Sequence, residues 1–191
     1  DTMFYMFSGP DFLYANTFFP KAKTYILTGL EPVGQVSHVD KLSSRNMNYS
    51  LLQLRQSMNT VLNYSFFITK RMKHELRTGF KGTLPIMLVF MARSGKVIED
   101  ISFVTLNDDG TVVPFDEDAT KQTPRAVKVT FRSEGEKDVP LQTLYYFSTD
   151  LGNNGVKRSG FLKFCESFGK GDSLVKSASY LMHYGSFSTV R

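Results

Sequence analysis

Ser8-Gly9-Pro10-Asp11 ends a short apolar and aromatic run, Thr2 to Phe7, and Glu31 follows a second such run, Thr24 to Leu30. A strand that turns into a helix offers backbone N–H groups and the positive end of a helix dipole to an anion. An acidic side chain at the end of the next strand can accept hydrogen bonds from ribose hydroxyls, the chemistry of dinucleotide and methyl-donor proteins. The turn departs from that pattern, with one glycine where the fingerprint has three and with Pro10 removing a donor. The plainer expectation is that Ser8 and Asp11 cap a helix and Glu31 opens a turn.

Other groupings suggest other chemistry. Ser8 on a sharp turn would be a nucleophile if His183 or His38 served as base and Asp11, Asp40 or Asp150 oriented it, although the turn lacks the Gly-x-Ser-x-Gly pattern. His183, in Tyr180-Leu181-Met182-His183-Tyr184, reads more plainly as a partly buried helix histidine. Glu31, His38 and Asp40 offer nitrogen and oxygen ligands to a metal, but His38 and Asp40 are poorly spaced for one helix face. A polar loop is the simpler reading there, and no metal site is predicted.

A further segment, Tyr145 to Gly155, passes from an aromatic strand into a loop of small polar residues. Ser148, Thr149, Asp150 and Asn153 would hydrogen-bond a ligand there, and Tyr145 or Tyr146 would stack on one. Asn and Gly are also what an ordinary turn needs. Lys70, Arg71, Lys73, His74, Arg77 and Lys81, beside Phe66, Phe67, Ile68 and Met72, form a basic and apolar stretch suited to anionic lipid, polyanion or a partner. It serves equally as a solvated face complementing a helix C-terminus, and Asp116-Glu117-Asp118 reads as a solvated loop.

The elements that must position these residues follow from the hydrophobic pattern. Thr2 to Phe7 is a buried strand, with a short helix after it in which Ser8 or Gly9 is the N-cap, Pro10 takes the first position and Pro20 marks the end. Thr24 to Leu30 is an apolar strand, so the span predicts a parallel pair joined by a right-handed crossover, with both turns at carboxyl ends of neighbouring strands. From Gln35 to Thr78 neither Gly nor Pro occurs, and Met47, Leu51, Leu54, Met58, Val61, Ile68, Met72 and Leu76 recur at helical steps, predicting a long helix with a break near Asn59 to Ser65.

Leu84 to Ala92 is a continuous apolar run and reads as the strand at the sheet centre. Val97 to Leu106 and Thr111 to Phe115, joined by Asn107-Asp108-Asp109-Gly110, predict an antiparallel hairpin. Arg125 to Arg132 alternates Val127, Val129 and Phe131 against Lys128, Thr130 and Arg132, as a strand with one wet face does, and pairs with Leu141 to Ser148. Helices are expected around Ser159 to Phe168 and Ser173 to Tyr184.

Composition bounds the rest. The 191 residues suit one domain, and 17 Phe with 9 Tyr supply large core-filling side chains. Cys165 is the only cysteine, which excludes an intrachain disulfide and a thiolate metal cluster. The longest apolar run is about half the roughly 18 residues of a membrane span. A net charge of +5 lacks the long Lys/Arg tracts of a nucleic-acid arm, so no nucleic-acid partner is predicted. A start at Asp1 without a leader and a stop at Arg191 without a polar tail lead us to expect truncation at one or both ends.

Phe7-Ser8-Gly9-Pro10-Asp11-Phe12-Leu13-Tyr14-Ala15, Gly29-Leu30-Glu31-Pro32-Val33-Gly34, Tyr145 to Leu151 and Ser179 to His183 together resemble a bacterial family labelled as lipoproteins or exported proteins, with no assigned activity. The resemblance runs across nearly the whole chain. It implies a bacterial origin, an exported, periplasmic or cell-envelope location and a missing C-terminal portion, and it supplies no catalytic residues. The residues alone leave a cytoplasmic location open.

The expectation is therefore a single three-layer α/β domain over 1–191, built on a central mixed sheet with a parallel strand-helix-strand unit, antiparallel hairpins and a long helix. Its function is expected to be binding of a small or anionic ligand or a protein partner through Ser8, Gly9, Asp11, Glu31, Ser148, Thr149 and Asp150. A nucleotide- or methyl-donor-dependent transferase is the alternative, and a serine hydrolase the third.

Overall fold

The computed structural model describes residues 1–35, 43–64, 82–116, 122–136, 138–152 and 155–175. In chain order they form β1 (Thr2–Met6), α1 (Phe12–Phe18), β2 (Thr24–Gly29), α2 (Ser44–Tyr64), α3 (Leu84–Arg93), β3 (Lys96–Leu106), β4 (Val112–Pro114), β5 (Ala126–Ser133), β6 (Gln142–Ser148), α4 (Gly155–Arg158), α5 (Phe161–Glu166) and β7 (Asp172–Val175). The strands make one seven-stranded mixed sheet in the order β4-β3-β5-β6-β2-β1-β7. β1 lies parallel to β2 and β7, and β2 parallel to β6, while the β6-β5, β5-β3 and β3-β4 pairs are antiparallel.

Alternation along the strands sorts side chains into two cores. Met3, Tyr5, Tyr25, Leu27, Val127, Val129, Phe131, Leu144 and Tyr146 face α1, α2 and α3, which contribute Phe12, Ala15, Leu54, Leu84, Ile86, Met87, Phe90 and Met91. Ile26, Val104, Ala126 and Phe147 face the opposite way, onto Phe161 and Phe164 of α5, with Val156 of α4 packed beside them. The expected three layers are thus present. The first core is knit by edge-on rings, Phe12 meeting Tyr25 at 5.3 Å and Phe131 at 5.5 Å. The second has Phe164 against Phe147 and Phe168, each at 5.0 Å.

Three expectations need correction. Leu84 to Ala92 is not a strand but the body of α3, and β6 holds the centre of the sheet. A fully apolar run cannot separate a buried strand from a buried helix by period alone. Its chemistry decides here, since Leu, Met and Ala favour helix, only Ile86 and Val89 are β-branched, and Pro85 fits the first turn after Thr83. Ser8 and Gly9 do not cap α1, and Pro10 is not its first residue. Asp11 is the N-cap, accepting the Tyr14 N–H, because its carboxylate reaches the third helical amide. Ser173 begins no helix: Asp172–Val175 adds a fourth parallel strand beside β1, where backbone pairing outweighs a weak local preference. Residues 176–184 lie outside the described residues.

α2 confirms the helical reading over 44–64 and runs unbroken through Asn59 and Asn63, while 65–81 lie outside the described residues. Its stripe is partly engaged: Leu54 is buried, and Leu51 stays 48% exposed. The β3-β4 hairpin and the β5-β6 pair form where expected, and β5 buries Val127, Val129 and Phe131 while Lys128, Thr130 and Arg132 stay half-exposed.

At the end of the sheet where β3 and β6 begin, Lys96 is only 9% exposed. Its ammonium donates to Ser133 Oγ at 3.0 Å and Gln142 Oε1 at 3.1 Å, and lies over the Phe131 ring. Both acceptors are neutral, so burial holds the lysine below its ordinary value of 10.5. The folded state then loses this proton at a lower pH than the unfolded chain, and stability rises as pH climbs through the window that ends near 10.5. Urea melts of wild type and Lys96→Met across that window should show wild type gaining stability relative to the variant. Parallel pH curves would contradict a buried charge.

Candidate functional site

β1, β2 and β6 each deliver a loop to the same end of the sheet, and the loops leave in different directions. The connection from β2 leads to α2 and α3 on one face, and that from its neighbour β6 leads to α4 and α5 on the other. Adjacent parallel strands whose connections part to opposite faces open a crevice at their carboxyl ends. The loops that carry Ser8, Glu31 and Ser148 all lie at this end.

Backbone contacts tie the three loops together. The Gly9 N–H donates to the Thr28 carbonyl at 3.0 Å, and the Thr149 N–H to the Gly29 carbonyl at 2.9 Å. Gly29 permits the convergence, because a Cβ there would meet Tyr146 Oη at 2.9 Å, Gly9 Cα at 3.0 Å and the Glu31 carboxylate. Phe7 holds a left-handed backbone with φ of 60° and an exposed ring, a conformation that costs about 1–2 kcal/mol. Its N–H is held by Thr28 Oγ1 at 3.0 Å.

The first group of candidates is built into this framework rather than open to solvent. Ser8 is 1% exposed and its hydroxyl donates to the Gly9 and Thr28 carbonyls. Asp11 is equally buried, its two oxygens taking the Tyr14 N–H and the Tyr5 hydroxyl, the latter at 3.1 Å. Burial, then the nearby Asp11 charge, pushes the Tyr5 phenol upward. Glu31 is buried beside Tyr146, whose hydroxyl donates to the Glu31 carbonyl at 2.8 Å. Burial, and after it the Glu31 charge, raises that phenol well above its ordinary value, so it stays a donor.

The second group is open. Ser148, Thr149 and Asp150 line a pocket of about 480 Å³ between the ends of β6, β5 and β3 and the start of α4. Val104, Leu106, Phe115, Ala126 and Phe147 form its apolar floor, and Arg125, Arg158, Asp108 and Ser159 supply polar groups. Ser148 donates its N–H to the Arg125 carbonyl at 2.7 Å, which sets the two residues side by side. The opposite wall is fixed by a close approach: Gly160 has a φ of 66°, and a Cβ there would run into the Asn107 carbonyl oxygen. Lys163 adds a hydrogen bond to the Asp108 carbonyl at 2.9 Å.

Two arginines thus share a partly enclosed space, and no ion pair occupies either guanidinium among the described residues. Ser159 Oγ, like Asn16 Oδ1, is buried with no hydrogen-bond partner among the described residues. Sequence reasoning missed Arg125, Arg158, Ser159 and Asp108. A signal for Arg125 existed, since pairing Arg125–Arg132 against Leu141–Ser148 already sets Arg125 opposite Ser148.

Of the remaining candidates, Tyr145 is packed edge-on against Phe164 at 5.2 Å. Cys165 is half-buried, and burial pushes its thiol up to about 12, which disfavours the thiolate. His38, Asp40, His74, His183, Asn153 and the basic stretch Lys70 to Lys81 lie outside the described residues, as do Glu117 and Asp118. Among the described residues no cluster of His, Cys, Asp or Glu is suited to a metal, and no helix is long and apolar enough to cross a membrane. The chain matches no family model, no curated protein and no solved structure.

Proposed function

We propose that this chain is a binding domain for a small anionic ligand, held by Arg125 and Arg158 in the pocket between the carboxyl ends of β6 and β3 and the start of β5. The observation that carries the reading is two arginines, without ion pairs among the described residues, lining one pocket of about 480 Å³, a volume in the usual range for small-molecule sites. Guanidinium groups bind carboxylate and phosphate through paired, charge-assisted hydrogen bonds, stronger than neutral ones. Ser148 and Thr149 stand beside them as hydroxyl-bearing residues, and the apolar floor excludes water from part of the ligand. Ser8, Gly9, Asp11 and Glu31 hold the loops that shape the crevice. The resemblance to exported bacterial proteins supports a setting in the cell envelope.

Thermal unfolding against a panel tests this. Phosphate, citrate and acetate stand for anions, glucose for neutral compounds and spermidine for cations. An anion at about one hundred times its dissociation constant should stabilise the domain by about 2.7 kcal/mol, a rise of roughly 5–10 °C, and added salt should shrink it. No rise with any anion, or the same rise with glucose and spermidine, would contradict the reading.

A further inference from the structure

The pocket is not uniformly positive. Arg125 and Arg158 share it with Asp108 and Asp150, and the signs are interleaved. Arg125 stands beside Ser148, two residues before Asp150. Arg158 and Ser159 precede Gly160, which packs directly on Asn107 and Asp108. Each wall therefore carries a guanidinium and a carboxylate.

A simple anion satisfies the arginines and is repelled by the carboxylates. A neutral sugar satisfies the carboxylates and leaves the guanidinium groups without an acceptor. A ligand that meets all four carries a negative group together with hydroxyl donors. Asp150 Oδ1 accepts the Gly152 N–H at 2.8 Å, and a carboxylate has lone pairs for further donors.

We propose that the pocket takes a phosphorylated, hydroxyl-bearing small molecule, a sugar phosphate or a nucleoside monophosphate, with the phosphate on the arginines and the hydroxyls on Asp150 and Asp108. This rests on the anion-binding reading above. It moves the hydroxyl-accepting role from buried Glu31 to Asp150, which is exposed at the pocket.

Calorimetric titration separates the two ideas. The probes are ribose 5-phosphate, adenosine monophosphate, methyl phosphate and ribose, each against wild type and Asp150→Asn. Asparagine keeps the Oδ1 acceptor for Gly152 and removes the charge. Ribose 5-phosphate or adenosine monophosphate should bind wild type about tenfold or more tighter than methyl phosphate. Asp150→Asn should erase most of that advantage without weakening methyl phosphate. The tighter of the two larger probes tells a nucleotide from a sugar phosphate. Equal affinity for all three phosphates, unchanged by Asp150→Asn, would overturn the hydroxyl role and leave anion binding standing. No binding of any phosphate would overturn both.

Discussion

Gly160→Ala is expected to lower the unfolding midpoint by roughly 4–20 °C, whereas Gly95→Ala, at the same φ of 66°, should lower it by only about 2–8 °C. Both substitutions place a Cβ on a left-handed backbone, at about 1–2 kcal/mol. They differ in surroundings. A Cβ at Gly95 meets nothing within 4 Å, while one at Gly160 is driven into the Asn107 carbonyl and toward the backbone of Asp108. Backbone on both sides cannot swing aside as a side chain would, so displacing it adds roughly 1–3 kcal/mol. This contact docks the β3-β4 turn onto the α4-α5 corner, so Gly160→Ala should also weaken any ligand that the pocket holds. Equal midpoints for the two variants would mean that the corner is not docked.

The double variant Arg125→Gln, Arg158→Gln should bind a pocket anion about 100-fold or more weakly, with little change in unfolding midpoint. Each charge-assisted hydrogen bond contributes about 1.5–3 kcal/mol. Both side chains are exposed and outside the two cores, so their loss should shift stability by about 0.5 kcal/mol or less. Calorimetry with the panel anion that gives the largest midpoint rise, alongside a thermal melt, reads both quantities. Unchanged affinity would remove the arginines from the site.

The legible parts of this fold were those with a clear period or a turn signal. β5 declared itself through Val127, Val129 and Phe131, and α2 through its helical spacing and freedom from Gly and Pro over 44–64. α3 was misread because an unbroken apolar run carries no period, and its helical character lay in Leu, Met and the early Pro85. β7 was invisible because four residues at the sheet edge owe their conformation to β1 rather than to themselves. The site divided along similar lines. Ser148, Thr149 and Asp150 were legible as candidates because a loop after an aromatic strand is a common place for ligands, and all three line the pocket. Arg158 and Ser159 were not, since what brings them into the pocket is the close packing of Gly160 on a turn some fifty residues earlier.

Mapping backbone amide chemical shifts while inorganic phosphate is added tests the pocket most directly. Saturable shifts should cluster at Arg125, Ser148, Thr149, Asp150 and Ser159, and vanish in the double arginine variant. Saturable shifts centred on Ser8 to Asp11, or none anywhere, would contradict the pocket as the site of anion binding.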